Sequence, residues 1–265
     1  MNALARHRPH RDLGQHFLVD RDALGRLVAY AELDRADTVL EIGPGTGKIT
    51  ALLAQQAGRV VAIEQDQRFK NRLGALQKDH PALELVWGDA LQAEFPPFDK
   101  AVSALPYRIA LPLIFKLLDR RFDRAVLIAQ QRLAQRLGAR VGEQHYGRLS
   151  VAVGRRAEAE ILEVVPRSAF SPRPDVESAV VKLERTRPKF SIPSEDFFRA
   201  VLEALFSHRQ QSLQQASLAI RHPELPAPLL ARGMARLNKK VREKPVYLVT
   251  PREFGELAWA VWKAR

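Results

Sequence analysis

The residues with the clearest chemical potential form a glycine-rich loop, Leu40-Glu-Ile-Gly-Pro-Gly-Thr-Gly-Lys48. Its three glycines at alternate positions let the backbone approach a ligand that side chains would exclude. A P-loop needs glycine where Ile42 stands and Ser or Thr where Ile49 stands. A dinucleotide loop needs G-x-G-x-x-G, whereas this chain has G-x-G-x-G. The ligand class that remains is a sulfonium nucleoside, S-adenosylmethionine.

Acidic residues follow the next two predicted strands. Glu64 ends the β-rich run 59–64, and Asp89 follows the run 83–87. Because the carboxyl ends of parallel strands meet at one edge of a sheet, both carboxylates should border the pocket of Gly43 and Gly45. Glu64 is suited to accept both ribose hydroxyls, and Asp89 to accept from an adenine amine. Either acid alone would be an ordinary solvated loop residue.

The elements that position these residues alternate between strand and helix from residue 38 to residue 141. This alternation predicts a doubly wound, mostly parallel sheet with right-handed crossovers, that is, an α/β fold. Two strand-like runs, 159–165 and 177–184, then predict an antiparallel hairpin at the sheet edge. Residues 185–193 have the composition of a linker, and Ser194 is a good N-cap for a helix over 195–207. We therefore expect a ligand-binding α/β domain over 1–185, with a basic N-terminal arm, and a small helical domain over 186–265.

The charge balance favours a polyanionic partner. Lys and Arg number 42 against 30 Asp and Glu, which gives a net charge of +12 and a pI near 10.3. Nucleic acid is favoured over membrane, since no basic amphipathic anchor stands out; a charge that serves only solubility is the alternative. The absence of cysteine excludes disulfides and thiolate zinc sites. The histidines lack metal-ligand spacing, so we expect no metal, and no apolar run is long enough to cross a bilayer, so we expect a cytoplasmic protein.

Four stretches carry a family resemblance that spans nearly the whole chain. The chain resembles the ribosomal RNA adenine dimethyltransferases, and its segment 246–251 is most like the archaeal members. The stretches are Leu13-Gly-Gln-His-Phe-Leu18, Glu41 to Gly47, Tyr146-Gly-Arg-Leu-Ser150 and Phe170-Ser-Pro-Arg-Pro-Asp-Val-Glu-Ser178.

The resemblance implies a class I methyltransferase fold and methyl transfer from S-adenosylmethionine to adenine N6. It implies small-subunit ribosomal RNA in a pre-30S particle as the partner, a monomeric enzyme, and RNA contacts from the C-terminal domain. The implied cofactor residues are Gln15, His16, Leu18, Gly43, Gly45, Glu64, Asp89 and Ala104. The implied catalytic residues are Ala104, Leu105, Pro106, Tyr107 and Phe170, with Phe170 covering the target base.

Ala104 departs from the family's catalytic motif, which is usually Asn-Leu-Pro-Tyr. An adenine amine is a poor nucleophile because its lone pair is delocalised into the ring. An amide oxygen and a backbone carbonyl that accept from N6–H stabilise the positive charge that grows on nitrogen. Losing one such group typically costs about 2.7–4 kcal/mol, or roughly 10²–10³ in rate. Two hypotheses follow: an active but slowed methyltransferase, or a weakened paralog that binds RNA as a ribosome-biogenesis factor, for which Arg108 and Arg132 are further departures.

Overall fold

The computed structural model describes residues 15–265. The basic arm with His7 and His10, and the first two residues of the Leu13–Leu18 stretch, lie outside the described residues. The described chain forms two compact units, residues 15–134 with 158–185 and residues 135–157 with 186–265. The sequence division at residue 185 assigned 135–157 to the first domain, whereas these residues pack with the C-terminal helices. No helix within 15–265 has both the length and the apolar character of a membrane span.

The first unit is built on a seven-stranded sheet with the order β4-β3-β2-β5-β6-β9-β7. The first five strands in this spatial order, β4, β3, β2, β5 and β6, are all parallel to their neighbours. β9 pairs with β6 in antiparallel fashion. This mixed, mostly parallel sheet confirms the predicted fold class. The strands of the unit are β1 (Phe17–Leu18), β2 (Thr38–Ile42), β3 (Arg59–Glu64), β4 (Leu83–Trp87), β5 (Lys100–Ala104), β6 (Arg124–Gln130), β7 (Ala157–Val165), β8 (Phe170–Ser171) and β9 (Ser178–Arg185).

The central strands are buried on both faces, which explains their nearly continuous apolar sequences. Val39 and Leu40 of β2 and Val61 of β3 have no exposed surface. The helices that cover the sheet are α1 (Arg21–Ala29), α2 (Lys48–Gln56), α3 (Lys70–Asp79) and α4 (Ala110–Leu118), and α5 (Gln131–Gly138) runs across the boundary between the units. The Asp20 side chain caps α1 by accepting from the N–H groups of Asp22 and Ala23.

A short second sheet ties the N-terminal segment to the stretch before β9. β1 and β8 pair in antiparallel fashion, with Phe17 opposite Ser171 and Leu18 opposite Phe170. Neither strand was predicted, because a two-residue strand has no periodicity to detect. The pairing brings two distant motifs of the sequence into contact.

The second unit is helical around its own core. Ser194 caps its first long helix by accepting from Phe197 N–H, as predicted. Tyr146 is buried and donates to the Val249 carbonyl at 2.7 Å, so the 146–150 and 246–251 stretches meet in this unit. Its helices are α6 (Arg148–Gly154), α7 (Glu195–Phe206), α8 (Leu213–Ala219), α9 (Ala227–Ala235), α10 (Lys239–Arg242) and α11 (Pro251–Trp262).

Candidate active site at the carboxyl edge of the sheet

The glycine loop begins where β2 ends and leads directly into α2. Gly43, Gly45 and Gly47 have φ of 70°, 52° and 72°, a region that other residues rarely adopt. A Cβ on Gly45 would lie 2.7 Å from Cε1 of Phe17. Glycine is therefore required at residue 45 both by the backbone conformation and by the packed ring.

Glu64 at the end of β3 holds this loop. Its Oε2 accepts from Gly45 N–H at 2.9 Å and its Oε1 from Asp66 N–H at 2.8 Å. The side chain is buried, and burial raises the pKa of Glu64 although the two backbone N–H groups oppose that rise. A nearly enclosed carboxyl at a strand end, next to a loop in which every second residue is glycine, fits the ribose of a nucleoside.

The N-terminal segment closes the pocket over Glu64. Gln15 donates from Nε2 to Asp66 Oδ2 at 2.9 Å. The Arg68 guanidinium donates to the side-chain oxygen of Gln15, Oε1, at 3.1 Å. The hydrogen bonds from Arg68 lower the pKa of Asp66 to about 2. Asp66 is therefore ionised at neutral pH and anchors Gln15 at the rim.

One cleft brings together the predicted residues of the glycine loop, the N-terminal motif and the segment after β5. Nine of the predicted site residues line it: Gln15, His16, Gly43, Gly45, Glu64, Ala104, Leu105, Pro106 and Tyr107. Seven further residues line the cleft and were not predicted from the sequence: Phe17, Ile42, Ile63, Gln65, Gly88, Ala90 and Ile109. The position of Ile42 and Ile63 at strand ends was a usable signal, as was the place of Phe17 inside the first motif.

Three predicted residues lie elsewhere. Leu18 and Phe170 pair with each other in the β1–β8 sheet and are buried in the core of the first unit. Asp89 is exposed, and its Oδ1 accepts from Leu91 N–H at 2.9 Å. The cleft wall is formed by its two neighbours, Gly88 and Ala90. Asp89 thus lies beside the cleft, whereas Leu18 and Phe170 lie in the hydrophobic core of the first unit.

The segment 104–107 forms the other wall. Leu105 N–H donates to the Ile128 carbonyl at 3.0 Å, which fixes the turn after β5. The Pro106 carbonyl already accepts from Ile109 N–H at 3.1 Å, so the Leu105 carbonyl is the better placed acceptor for a ligand. Tyr107 shares a hydrogen bond with the Ser178 hydroxyl, and burial raises the pKa of its phenol.

Comparison with known proteins decides the family. Residues 6–244 match the model of the family described as ribosomal RNA adenine dimethylase. The chain belongs to this family. A probable ribosomal RNA small subunit methyltransferase A from Thermococcus kodakarensis is 41% identical over 94% of this chain and 88% of its own length. The corresponding protein of Methanococcus maripaludis strain C6 is 37% identical over 95% of this chain and 97% of its own.

Solved structures agree with this assignment. A dimethyladenosine transferase from Plasmodium falciparum superposes with a TM-score of 0.81 at 28% identity, over 94% of this chain and 98% of that one. The 23S rRNA methyltransferase ErmE superposes with a TM-score of 0.69 at 28% identity, over 92% and 99%. The cleft of this dimethylase has the position that ligands take in doubly wound folds, outside the carboxyl ends of the strands.

A buried carboxyl lies beneath the glycine loop of this dimethylase. Glu41 is 1% exposed, and neither of its oxygens has a hydrogen-bond partner among the described residues. Burial raises the pKa of Glu41 to about 8, although the neighbouring Thr50 opposes that rise, and the nearby Glu64 adds to it. Glu41 is therefore largely protonated at neutral pH.

Proposed function

We propose that this dimethylase-family enzyme transfers methyl groups from S-adenosylmethionine to adenine N6 of small-subunit ribosomal RNA. The observation that carries the proposal is the single cleft that joins the glycine loop and Glu64 to the Leu105-Pro106-Tyr107 segment. One wall suits a nucleoside and the other suits a flat base. Methyl transfer between two bound molecules requires both walls to face one space.

The cofactor half of the cleft fits S-adenosylmethionine by its donor set. Glu64 would accept from the ribose hydroxyls, and the glycine loop would admit the backbone-close part of the ligand. Asp89, beside the wall formed by Gly88 and Ala90, would turn to accept from the adenine amine. When bound, S-adenosylmethionine supplies an electrophilic methyl group on a sulfonium centre.

The catalytic half recognises an adenine that has left its stack. Tyr107 offers an aromatic face, since flipped bases are held between aromatic or apolar side chains. The Leu105 carbonyl accepts one N6–H and raises electron density on the amine nitrogen. Phe170 is buried behind Leu18, so its contribution to base binding would require the β8 segment to move.

A cationic groove on the same unit supports RNA as the substrate. Arg21, Lys48 and Arg72 line a groove with Asp79 as its acidic member, and the end of the glycine loop lines it too. Burial lowers the pKa of Lys48, and repulsion from Arg72 and Arg21 lowers it further. A phosphate seated between these cations would relieve that repulsion, as in other sequence-independent contacts to nucleic acid backbones.

The small subunit is favoured over the large one by two observations. The Thermococcus and Methanococcus relatives are small-subunit enzymes by name, and the chain superposes better on the dimethyladenosine transferase than on ErmE. The proposal extends to a monomer that acts in the cytoplasm on a pre-30S particle. An RNA-binding paralog without turnover is the second candidate, and Ala104 is the observation that favours it.

The test is transfer of labelled methyl groups from S-adenosylmethionine to under-methylated small subunits. We expect label in small-subunit RNA, recovered as N6-methylated adenine after digestion. Large subunits and fully methylated small subunits are the controls. Retention of small-subunit binding with no label under any condition would replace the enzyme by the RNA-binding paralog.

A further inference from the structure

His16 lines the same cleft as Ala104, the residue that stands where the family's asparagine is missing. Its ring stacks on Tyr107 with the centroids 5.3 Å apart and the planes at 29°. Its Nδ1 lies 2.9 Å from the Pro172 carbonyl oxygen. His16 and Ala104 both line the cleft, so an adenine amine held near residue 104 is within the space that His16 faces.

The contact with Pro172 decides which ring nitrogen carries the proton. A carbonyl oxygen only accepts hydrogen bonds, so Nδ1 of His16 must be the N–H donor. In a neutral imidazole the other nitrogen then has a free lone pair. Nε2 of the neutral ring is therefore a hydrogen-bond acceptor, on a residue that lines the cleft.

We propose that Nε2 of His16 is the acceptor that Ala104 lacks: it accepts N6–H of the target adenine and takes its proton during methyl transfer. This rests on the proposed function. The Leu105 carbonyl accepts one N6–H, and His16 accepts the other. The sequence resemblance assigned His16 to the cofactor, whereas its Tyr107 stack orients it toward the base wall.

The step balances without a further reactant. The amine nitrogen uses its lone pair to form the new N–CH₃ bond, while the electron pair of the broken S–CH₃ bond stays on sulfur. The nitrogen loses one proton to Nε2, which leaves a neutral methylated amine and an imidazolium. Pro172 still accepts from Nδ1–H, and the Tyr107 ring face stabilises the cation.

The first test measures the tautomer and needs no activity. Nitrogen-15 spectra of histidine-labelled protein, assigned with the His16→Phe variant, report which ring nitrogen is protonated. We expect the neutral ring of His16 in the Nδ1–H form, with or without S-adenosylmethionine. A predominant Nε2–H form would overturn the proposal, because that nitrogen would then have no lone pair to offer.

The second test is a double-mutant cycle with His16→Phe and Ala104→Asn. Phenylalanine keeps an aromatic ring against Tyr107 but removes the acceptor. We expect His16→Phe to lower kcat roughly 10²-fold, with the calorimetric Kd of S-adenosylmethionine changed less than threefold. In the Ala104→Asn background the same change should cost less than about fivefold, since the amide then accepts. His80→Phe, on a ring that does not line the cleft, is the matched control.

Each outcome of the cycle has one meaning. Equal loss of kcat in both backgrounds, or a loss that follows the cofactor Kd, would make His16 a structural or cofactor residue and overturn the proposal. An active wild type with an unaffected His16→Phe variant would overturn it while the proposed function stands. No turnover by wild type or by Ala104→Asn would remove the proposed function as well.

The pH profile separates acceptance from packing. A base that must be neutral to accept a proton gives a kcat that falls at low pH, where the base is protonated. The other titratable groups that line the cleft are Glu64 and Tyr107, and Arg173 follows Pro172 in the chain. The acid limb should disappear in the Ala104→Asn, His16→Phe double variant, and its persistence there would assign the limb to Glu64 and overturn the role of His16.

Discussion

The two walls of the cleft differ in how completely their polar groups are paired. The cofactor wall is the side formed by the glycine loop, Glu64 and Gln15. There Glu64 accepts hydrogen bonds from two backbone N–H groups, and the side chains of Gln15, Asp66 and Arg68 are hydrogen-bonded to one another. On the catalytic wall, the turn at 104–107 is held by backbone hydrogen bonds and Tyr107 is anchored on Ser178. The side chain of residue 104, however, has no polar atom.

This difference separates cofactor binding from chemistry. The cofactor wall is preorganised by hydrogen bonds that require no ligand, so its affinity should not depend on residue 104. The catalytic wall keeps the shape that receives a base but has lost one side-chain acceptor. Substitutions on one wall should therefore change Kd for S-adenosylmethionine, and substitutions on the other should change kcat.

The largest expected effect is on the cofactor wall. Gly45→Val places a β-branched residue at a φ of 52°, and its Cβ would overlap the Phe17 ring. Strain of about 1–2 kcal/mol from the backbone, together with the displaced ring, should weaken S-adenosylmethionine binding at least about 10²-fold by calorimetry. Gly74→Ala is the matched control, because a Cβ there meets nothing within 4 Å. Unchanged affinity in Gly45→Val would mean that the loop does not hold the cofactor.

A smaller effect, of opposite sign, is expected on the catalytic wall. Ala104→Asn restores the amide oxygen and should raise kcat for methyl transfer about tenfold. This is less than the roughly 10²–10³ that one preorganised group is worth, because His16 already supplies an acceptor. The calorimetric Kd of S-adenosylmethionine should stay the same. A lower kcat in the variant would show that the turn at 104–107 no longer fits an asparagine.

The cofactor wall was more predictable from sequence than the catalytic wall. Gly43, Gly45 and Glu64 follow strands whose ends could be located from β-branched runs, and parallel strands must bring such ends to one edge. β3 and β4 begin and end as predicted. The role of the N-terminal motif depended on family resemblance, since no local pattern predicts that Gln15 reaches Asp66.

Contacts between distant segments could not be predicted. The β1–β8 pairing joins residues separated by more than 150 positions, and two-residue strands carry no periodic signal. This pairing places Leu18 and Phe170 in the core, which hydrophobicity alone does not distinguish from the cleft wall. The packing of residues 135–157 with the C-terminal unit is equally non-local, since Tyr146 bonds Val249.

RNA affinity should depend chiefly on cations outside the cleft. Arg21→Gln with Lys48→Gln removes two cations of the groove at the end of the glycine loop. We expect weaker binding to small-subunit RNA, and a plot of log affinity against log salt whose slope is shallower by about 0.7–0.9 for each phosphate that these cations neutralise. Filter binding across salt concentrations measures both, with exposed Lys78→Gln on α3 as the control. An unchanged slope would place the phosphate-binding cations elsewhere.

The smallest expected effect is on stability, beneath the cofactor wall. The folded-state pKa of Glu41 is raised from 4.5 to about 8, so the folded protein retains a proton that the unfolded chain releases. The free energy of unfolding should therefore fall as the pH rises from about 4.5 to about 8, and should not depend on this group below that window. Glu41→Gln replaces the carboxyl by a group that stays neutral and should therefore raise the free energy of unfolding at pH 8. The expected gain is only on the order of 1 kcal/mol, because the glutamine amide would also be buried without partners, which is itself costly. Urea unfolding at pH 5 and pH 8 measures the difference, with exposed Glu94→Gln as the control. A variant that loses stability equally at both pH values would show that Glu41 makes a hydrogen bond that glutamine cannot replace. That hydrogen bond would then be part of what holds the cofactor wall in place.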